Sequence, residues 1–419
     1  MDNRIRMIDA LRGLALAGIG IVHFGGQYLA FMPPANHAFS VQNPVDGLIE
    51  ALLQIFIVGK GFGLFSLMFG LSFALQMQRA ERRDPGHDFR RRFAWRLTIL
   101  FAIGYVHSLF FSGDILTVYA LLGIPMLLFY RVPDRWLLVA AALLLLGTPR
   151  IINRVVSGPM NPADAKAARV GMEAAAVRHW DALAKGNVLE IVRNNGTEGL
   201  LNKWDFQMGF GGRGYQTFAL FLIGLWAGRR RLFENAEANR ALFKRVLRWT
   251  AALFFAVPLV GGGLVFLFAR LSGAAQVPQE QWNTSMWPAV LGLSVMDAWN
   301  NVLTIFYVAA FALLFLRPRW RSLLVRFESI GRVALSSYLM QTAVGAALFY
   351  GIGFGLLGRF GNSVSVPIGL VVVAAQVVVG KVWLEHFRFG PVEWLWRSLT
   401  WLRWQPFRIK PELEVAQAA

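Results

Sequence analysis

The chain is 419 residues long, 56% hydrophobic and 16% charged, with no cysteine and a formal net charge of +18. A soluble chain is usually about a quarter charged, so this balance, with several apolar runs of 18 residues or more, excludes an ordinary soluble domain. Without cysteine there is no disulfide, no thiolate metal site and no cysteine nucleophile.

About ten membrane spans are predicted in chain order, near 8–30, 48–77, 95–112, 114–130, 135–156, 214–229, 247–269, 288–316, 331–357 and 364–386. The first follows Arg4 and Arg6 but carries Asp9, Arg12 and His23, so it reads as an uncleaved span and not a signal peptide. The second holds Lys60 among glycines, which suggests a tilt, a kink or a short surface helix. Within it, Gly61, Gly63, Ser66, Gly70 and Ser72 are spaced for helix packing.

The segments expected on the N-terminal side of the membrane are 1–12, 79–96, 131–135, 229–248, 317–332 and 381–410. They hold 30 of the 42 basic residues. That is the positive-inside pattern, and it predicts an all-α polytopic membrane protein with both termini cytoplasmic. It also accounts for the net charge without a nucleic-acid partner, and no nucleic-acid-binding signature occurs.

Four regions follow: 1–156, an N-terminal membrane half with the candidate site; 157–213, a polar segment; 214–388, a C-terminal membrane half; and 389–419, an interfacial cytoplasmic tail. Between 157 and 213 the turn signals Ser157-Gly158-Pro159 and Asn161-Pro162 precede an Ala-rich stretch, Ala163–Lys185, and a shorter piece near 187–194. These fit a small helical cap on the extracytoplasmic face, with a solvated spacer as the alternative. In the tail, Pro391 suits a first helical turn, and the Trp and Arg residues after it suit the headgroup layer.

Ionisable groups inside apolar spans are costly and usually functional. His107 lies eleven residues past Arg96 and His23 eleven past Arg12, which places both roughly 16 Å from the cytoplasmic side. Two imidazoles at one depth can line one polar cavity, and histidine there can serve as a base. Asp114, seven residues after His107, is out of hydrogen-bond reach along an unbroken helix. Either Ser112-Gly113 turns it back or it caps the next span. Asp9 and Arg12 can pair on one helix face, as a structural ion pair beside Gly13 or as a holder for a cytosolic anion. Asp297, Asn300, Asn301 and Gln341 read as packing hydrogen bonds. No HExxH, GxSxG or EF-hand pattern occurs, so no metal site is expected.

Five ordered stretches carry a resemblance. They run from Ile8 to Ala15, from Leu64 to Gln76, from His107 to Leu121, from Gly331 to Gln341 and from Phe389 to Arg397. In these the chain resembles the YeiB-like bacterial inner-membrane family (domain of unknown function 418), over nearly its whole length. That family is more distantly similar to the transmembrane acyltransferase superfamily. The resemblance implies acyl-CoA bound from the cytosol, an envelope glycan or lipid acceptor on the far side, and an intramembrane histidine. Asp9, Arg12 and Gly13 match the first-span Asp-x-x-Arg-Gly pattern, which gives Arg12 and Asp9 to acyl-CoA. His107 and Asp114 match the His…Ser-Gly-Asp motif. His23 stands where many YeiB-like chains carry asparagine, so His107 takes the role of base, with Asp114 and His23 beside it. The expected partners are membrane lipids and the acceptor, with homo-oligomers left open. Two rivals stand beside a transmembrane acyltransferase. One is a proton-coupled transporter of a small polar solute; the other is a non-catalytic lipid- or quinone-binding membrane protein.

Overall fold

The computed structural model describes residues 5–35, 37, 39–83, 89–158, 160–209, 211–273 and 286–409. The regular secondary structure among the described residues is helical, with one isolated antiparallel bridge, Phe387 to Arg408. In chain order the helices are α1 (Arg6–Gly25), α2 (Pro44–Phe56), α3 (Lys60–Arg83), α4 (Phe89–Ser108), α5 (Leu116–Met126), α6 (Asp134–Leu145) and α7 (Thr148–Ser157). Then come α8 (Pro162–Lys185), α9 (Val188–Asn194), α10 (Leu200–Met208), α11 (Arg213–Arg229), α12 (Arg240–Ala256) and α13 (Gly262–Leu271). The chain closes with α14 (Trp287–Phe315), α15 (Pro318–Leu324), α16 (Glu328–Arg332), α17 (Ala334–Phe349), α18 (Asn362–His386) and α19 (Pro391–Thr400).

Five helical stretches among the described residues are long and apolar enough to cross a membrane: Arg6–Gly25, Pro44–Arg82, Arg240–Leu271, Trp287–Phe315 and Asn362–His386. The pair α6 and α7 makes a sixth if its 56° bend lies within one span. Helix underlies each of the ten predicted spans, but several are interrupted. The second breaks between α2 and α3, at Gly59 in a left-handed conformation. The ninth, 331–357, starts as α16, restarts as α17 after Val333 and ends at Phe349. Glycines at 351, 353, 355 and 358 then carry the chain through turns in place of a last helical stretch.

α11 sits at the centre and packs on α3, where small residues let the backbones meet. A Cβ on Gly70 would run into the Phe221 carbonyl, and one on Gly224 into that of Leu67. The spacing of small residues along α3 therefore serves packing, as its pattern suggests. One apolar cluster joins α1, α3, α11, α12 and α14, through Leu11, Met68, Leu71, Phe311 and Phe315. A second joins α3, α4, α5, α6 and α11, through Phe73, Phe93, Tyr119 and Phe221. In the 157–213 region α8, α9 and α10 are present as helices. Trp180, Leu183 and Ile191 of α8 and α9 pack with Phe24, Tyr28, Phe111, Phe349 and Tyr350. This region forms a roof over the C-terminal ends of α1, α4 and α17.

Candidate functional site

α4 ends at Ser108, and a tight turn follows in which the Phe110 and Phe111 amides donate to the His107 carbonyl at 3.0 Å. The Asp114 amide then donates to the Phe111 carbonyl at 3.0 Å, and α5 starts two residues later. Gly104, one turn before His107, allows the start of α5 to lie against α4: a Cβ there would come within 2.7 Å of Leu116 and Thr117. The turn carries Asp114 back to His107. The imidazole Nδ1 and Asp114 Oδ1 are 2.8 Å apart.

Asp114 also caps α5. Its Oδ1 accepts from the Leu116 amide at 3.1 Å, and its Oδ2 from the Thr117 amide and hydroxyl at 3.0 and 2.9 Å. The two alternatives open from sequence are therefore both realised by one carboxylate. Lys203 of α10 completes the group, with Nζ 3.2 Å from Asp114 Oδ2 and 2.6 Å from the Thr117 hydroxyl. Burial pushes the Lys203 ammonium below the usual lysine range, and Asp114 pulls it back up. On the other side of the ring, His107 Nε2 lies 2.9 Å from Thr342 Oγ1 on α17. His107, Asp114, Lys203 and Thr342 are 6, 1, 4 and 3% exposed, so the whole chain of groups is buried.

With Asp114 ionised and the imidazole neutral, Nδ1–H donates to Asp114 and Nε2 accepts from the Thr342 hydroxyl. Carboxylate, imidazole and hydroxyl thus stand in the order that activates a hydroxyl for nucleophilic attack. The base is oriented by a third group, as such chemistry requires.

His23 reaches the same interior. The rings of Phe111 and Tyr338 separate it from His107: Phe111 is 5.0 Å from His23 and 6.1 Å from His107, Tyr338 6.2 and 5.0 Å. The two imidazoles are electrostatic neighbours. His23 Nδ1, the Tyr28 hydroxyl and Gln341 Oε1 are buried without a hydrogen-bond partner. Buried polar atoms are rarely left so unless water or a ligand meets them. Gln341 Nε2 donates to Gln376 Oε1 at 2.8 Å, which ties α17 to α18.

Asp9 and Arg12 lie elsewhere. Arg12 donates to Asp9 Oδ1 at 2.8 Å, to Ser72 Oγ at 3.0 Å and to the Gly331 carbonyl at 3.4 Å. Gly13 and Gly331 bring α1 and α16 into backbone contact beside this pair. Arg12 is also the electrostatic neighbour of Arg96, whose guanidinium lies 3.7 Å from the Trp396 ring and near Arg397. This basic end is separated from His107 by the eleven residues of α4 that follow Arg96, roughly 16 Å. The structure thus brings together His107, Asp114 and His23, and keeps Asp9 and Arg12 apart from them.

Thr342 and Lys203 escaped the sequence reading. Thr342 follows the flagged Gln341 in an apolar span, where threonine is ordinary. Lys203 sits in a polar segment where lysine is expected on the surface. Asp297 is held by Arg150 at 2.8 Å, and Asn301 donates to Gln216 Oε1 at 2.6 Å. Among the described residues no three His, Asp or Glu side chains are grouped to hold a metal.

Residues 227–403 match the family described as protein of unknown function (DUF418). The chain is 30% identical to the uncharacterized protein YxaH of Bacillus subtilis (strain 168), over 98% of both chains. It is 28% identical to the uncharacterized protein YeiB of Escherichia coli (strain K12), over 94% of this chain and 95% of that one.

Proposed function

We propose, from the premise that the chain belongs to the YeiB-like DUF418 family, that it is a bacterial inner-membrane acyltransferase. It would move an acyl group from cytosolic acyl-CoA to a hydroxyl or amine of an envelope glycan or lipid. The observation that carries this reading is the buried order Asp114, His107, Thr342, with both imidazole nitrogens engaged at 2.8 and 2.9 Å. In this scheme Thr342 holds Nε2 until the acceptor's hydroxyl or amine takes its place. His107 then removes the acceptor proton as its oxygen or nitrogen attacks the thioester carbonyl. The imidazolium, steadied by Asp114, then gives that proton to the departing sulfur, so coenzyme A leaves as the thiol and His107 is neutral again. His23, whose Nδ1 has no hydrogen-bond partner, lies across the Phe111 and Tyr338 rings from His107. Arg12, Arg96 and Arg397 supply positive charge for the CoA phosphates at the other end. The Lys and Arg distribution supports cytoplasmic termini and an extracytoplasmic roof over the histidines.

The test uses inverted membrane vesicles holding the full chain, supplied with [14C]acetyl-CoA. Label should pass to the lipid or glycan extract, and His107→Gln should cut that transfer at least about 100-fold while the protein stays inserted. Arg12→Gln should raise the acetyl-CoA concentration needed for half-maximal rate. Full transfer in an inserted His107→Gln protein would remove His107 from the chemistry.

A second reading, a proton-coupled transporter, is favoured by the interrupted helices at α2–α3 and α6–α7. It expects no label transfer, and instead solute uptake that collapses with the proton gradient.

A further inference from the structure

Three helix starts lie close together. They are those of α3 at Lys60, α7 at Thr148 and α11 at Arg213. The residue before each is a glycine with positive φ, 83° at Gly59, 75° at Gly147 and 61° at Gly212. Only glycine takes that conformation without strain. Each of these glycines also lies against a cation. A Cβ would stand 3.2 Å from the Arg213 guanidinium at Gly59, 3.5 Å from that of Arg150 at Gly147, and 3.0 Å from Arg150 at Gly212. The breaks gather the positive ends of three helices around Lys60, Arg150 and Arg213.

Counter-charge is short here. Arg150 donates to Asp297 Oδ2 and to the Gly211 carbonyl, both at 2.8 Å, and to Ser294 Oγ at 3.2 Å. Arg213, 22% exposed, makes a long ion pair with Asp297 Oδ1 at 3.9 Å, beyond hydrogen-bond distance, with its guanidinium 5.0 Å from the Phe62 ring. Lys60, 1% exposed, gives one hydrogen bond, to the Gln54 carbonyl at 2.7 Å, and lies 5.2 Å from the Trp299 ring. Lys60 and Arg213 are electrostatic neighbours. Among the described residues Asp297 is the carboxylate paired here, shared by Arg150 at 2.8 Å and Arg213 at 3.9 Å. Lys60 is the cation here buried with no carboxylate paired to it among the described residues, which is costly, and an anion relieves the cost.

We propose that Lys60, Arg213 and Arg150, with the starts of α3, α7 and α11, form a binding site for a phosphate oxyanion. A guanidinium fork and an ammonium approaching from different helices suit an acceptor that takes hydrogen bonds from several directions at once. The helices that carry two of the breaks turn Leu52, Phe56, Ile152 and Val155 outward, so a lipid phosphate is within reach as well as a soluble one. Tyr119 of α5, whose hydroxyl meets Ser66 Oγ at 2.7 Å, lies in the field of Arg213. The site stands whether or not the chain transfers acyl groups.

The full-length protein in detergent is the sample. Native mass spectrometry would compare phosphatidylglycerol with phosphatidylcholine adducts. Thermal unfolding would compare sodium phosphate with sodium chloride at equal ionic strength. The wild type should prefer phosphatidylglycerol, or be stabilised by phosphate, and the responding probe identifies a lipid or a soluble source. Lys60→Gln and Arg213→Gln should each weaken that response about tenfold or more. Lys60→Arg should keep it, and Arg245→Gln, on an exposed part of α12, should leave it unchanged. A wild type indifferent to both probes overturns the site, even if the glutamine variants fail to fold. Equal binding by folded glutamine variants overturns it too.

Discussion

Asp114 concentrates more of this protein's physics than any other residue. It accepts from the Leu116 amide and from the Thr117 amide and hydroxyl, faces Lys203 and orients His107. Removing the carboxylate leaves α5 uncapped and an ammonium buried without a counter-charge. Asp114→Ala should therefore cost about 3–5 kcal/mol. The loss is read from thermal unfolding in nanodiscs. Adding Lys203→Met should recover a large part of it, because the stranded charge goes too. Equal losses in the single and double variants would mean that the cap alone matters. Under the proposed acyl transfer the double variant should pass no label in either case, since His107 has lost its orienting partner.

At the scale of helices, the apolar runs were legible because a membrane demands about twenty of them in a row. The long stretches Arg240–Leu271, Trp287–Phe315 and Asn362–His386 lie where hydropathy put them. Interruptions were harder to read. Glycine at 59 or 147 looks the same in sequence whether it packs or breaks a helix, and only the backbone φ separates the two cases. The site was legible in part for a similar reason. His107, Asp114 and His23 stand out as ionisable residues in or beside apolar spans, whereas Thr342 and Lys203 do not. Which partner comes round from α10 or α17 depends on packing that no local pattern encodes. The Asp9, Arg12 and Gly13 motif yields a prediction of its own. A Cβ on Gly13 would run into the Phe327 carbonyl, and backbone cannot step aside as a side chain can. Gly13→Ala should force α1 and α16 apart and destabilise the protein by about 1–3 kcal/mol. Gly171→Ala, with nothing within 4 Å, should not. Paired unfolding curves decide this.

Taken whole, the molecule closes the histidine centre with the 157–213 region. Lys203 reaches Asp114, Asn195 donates to the Leu109 carbonyl at 3.1 Å, and the Gly351 amide donates to the Leu183 carbonyl at 2.8 Å. Within this roof His179 is buried, its Nδ1 2.7 Å from Asn194 Oδ1 and its Nε2 without a partner. Burial lowers its pKa below the usual 6.5, against smaller upward pulls from Asn194 and Glu198. The sign follows from proton counting. Between the folded value and 6.5 the unfolded chain holds the extra proton, so His179's contribution is complete above 6.5 and is lost as the pH falls through that window. One proton gives a slope of at most about 1.4 kcal/mol per pH unit. Hydrogen exchange in α8 and α9 should accordingly speed up relative to the membrane helices when the pH drops from about 7.5 to 5.5, after correction for intrinsic rates. His179→Gln should flatten that response, while an unchanged response would move the titration to another group. Because α10 brings Lys203 to Asp114, loosening the roof on acidification should also expose the His107 centre to water. Transfer activity and protection of α8 should then fall together in wild type and separate in His179→Gln.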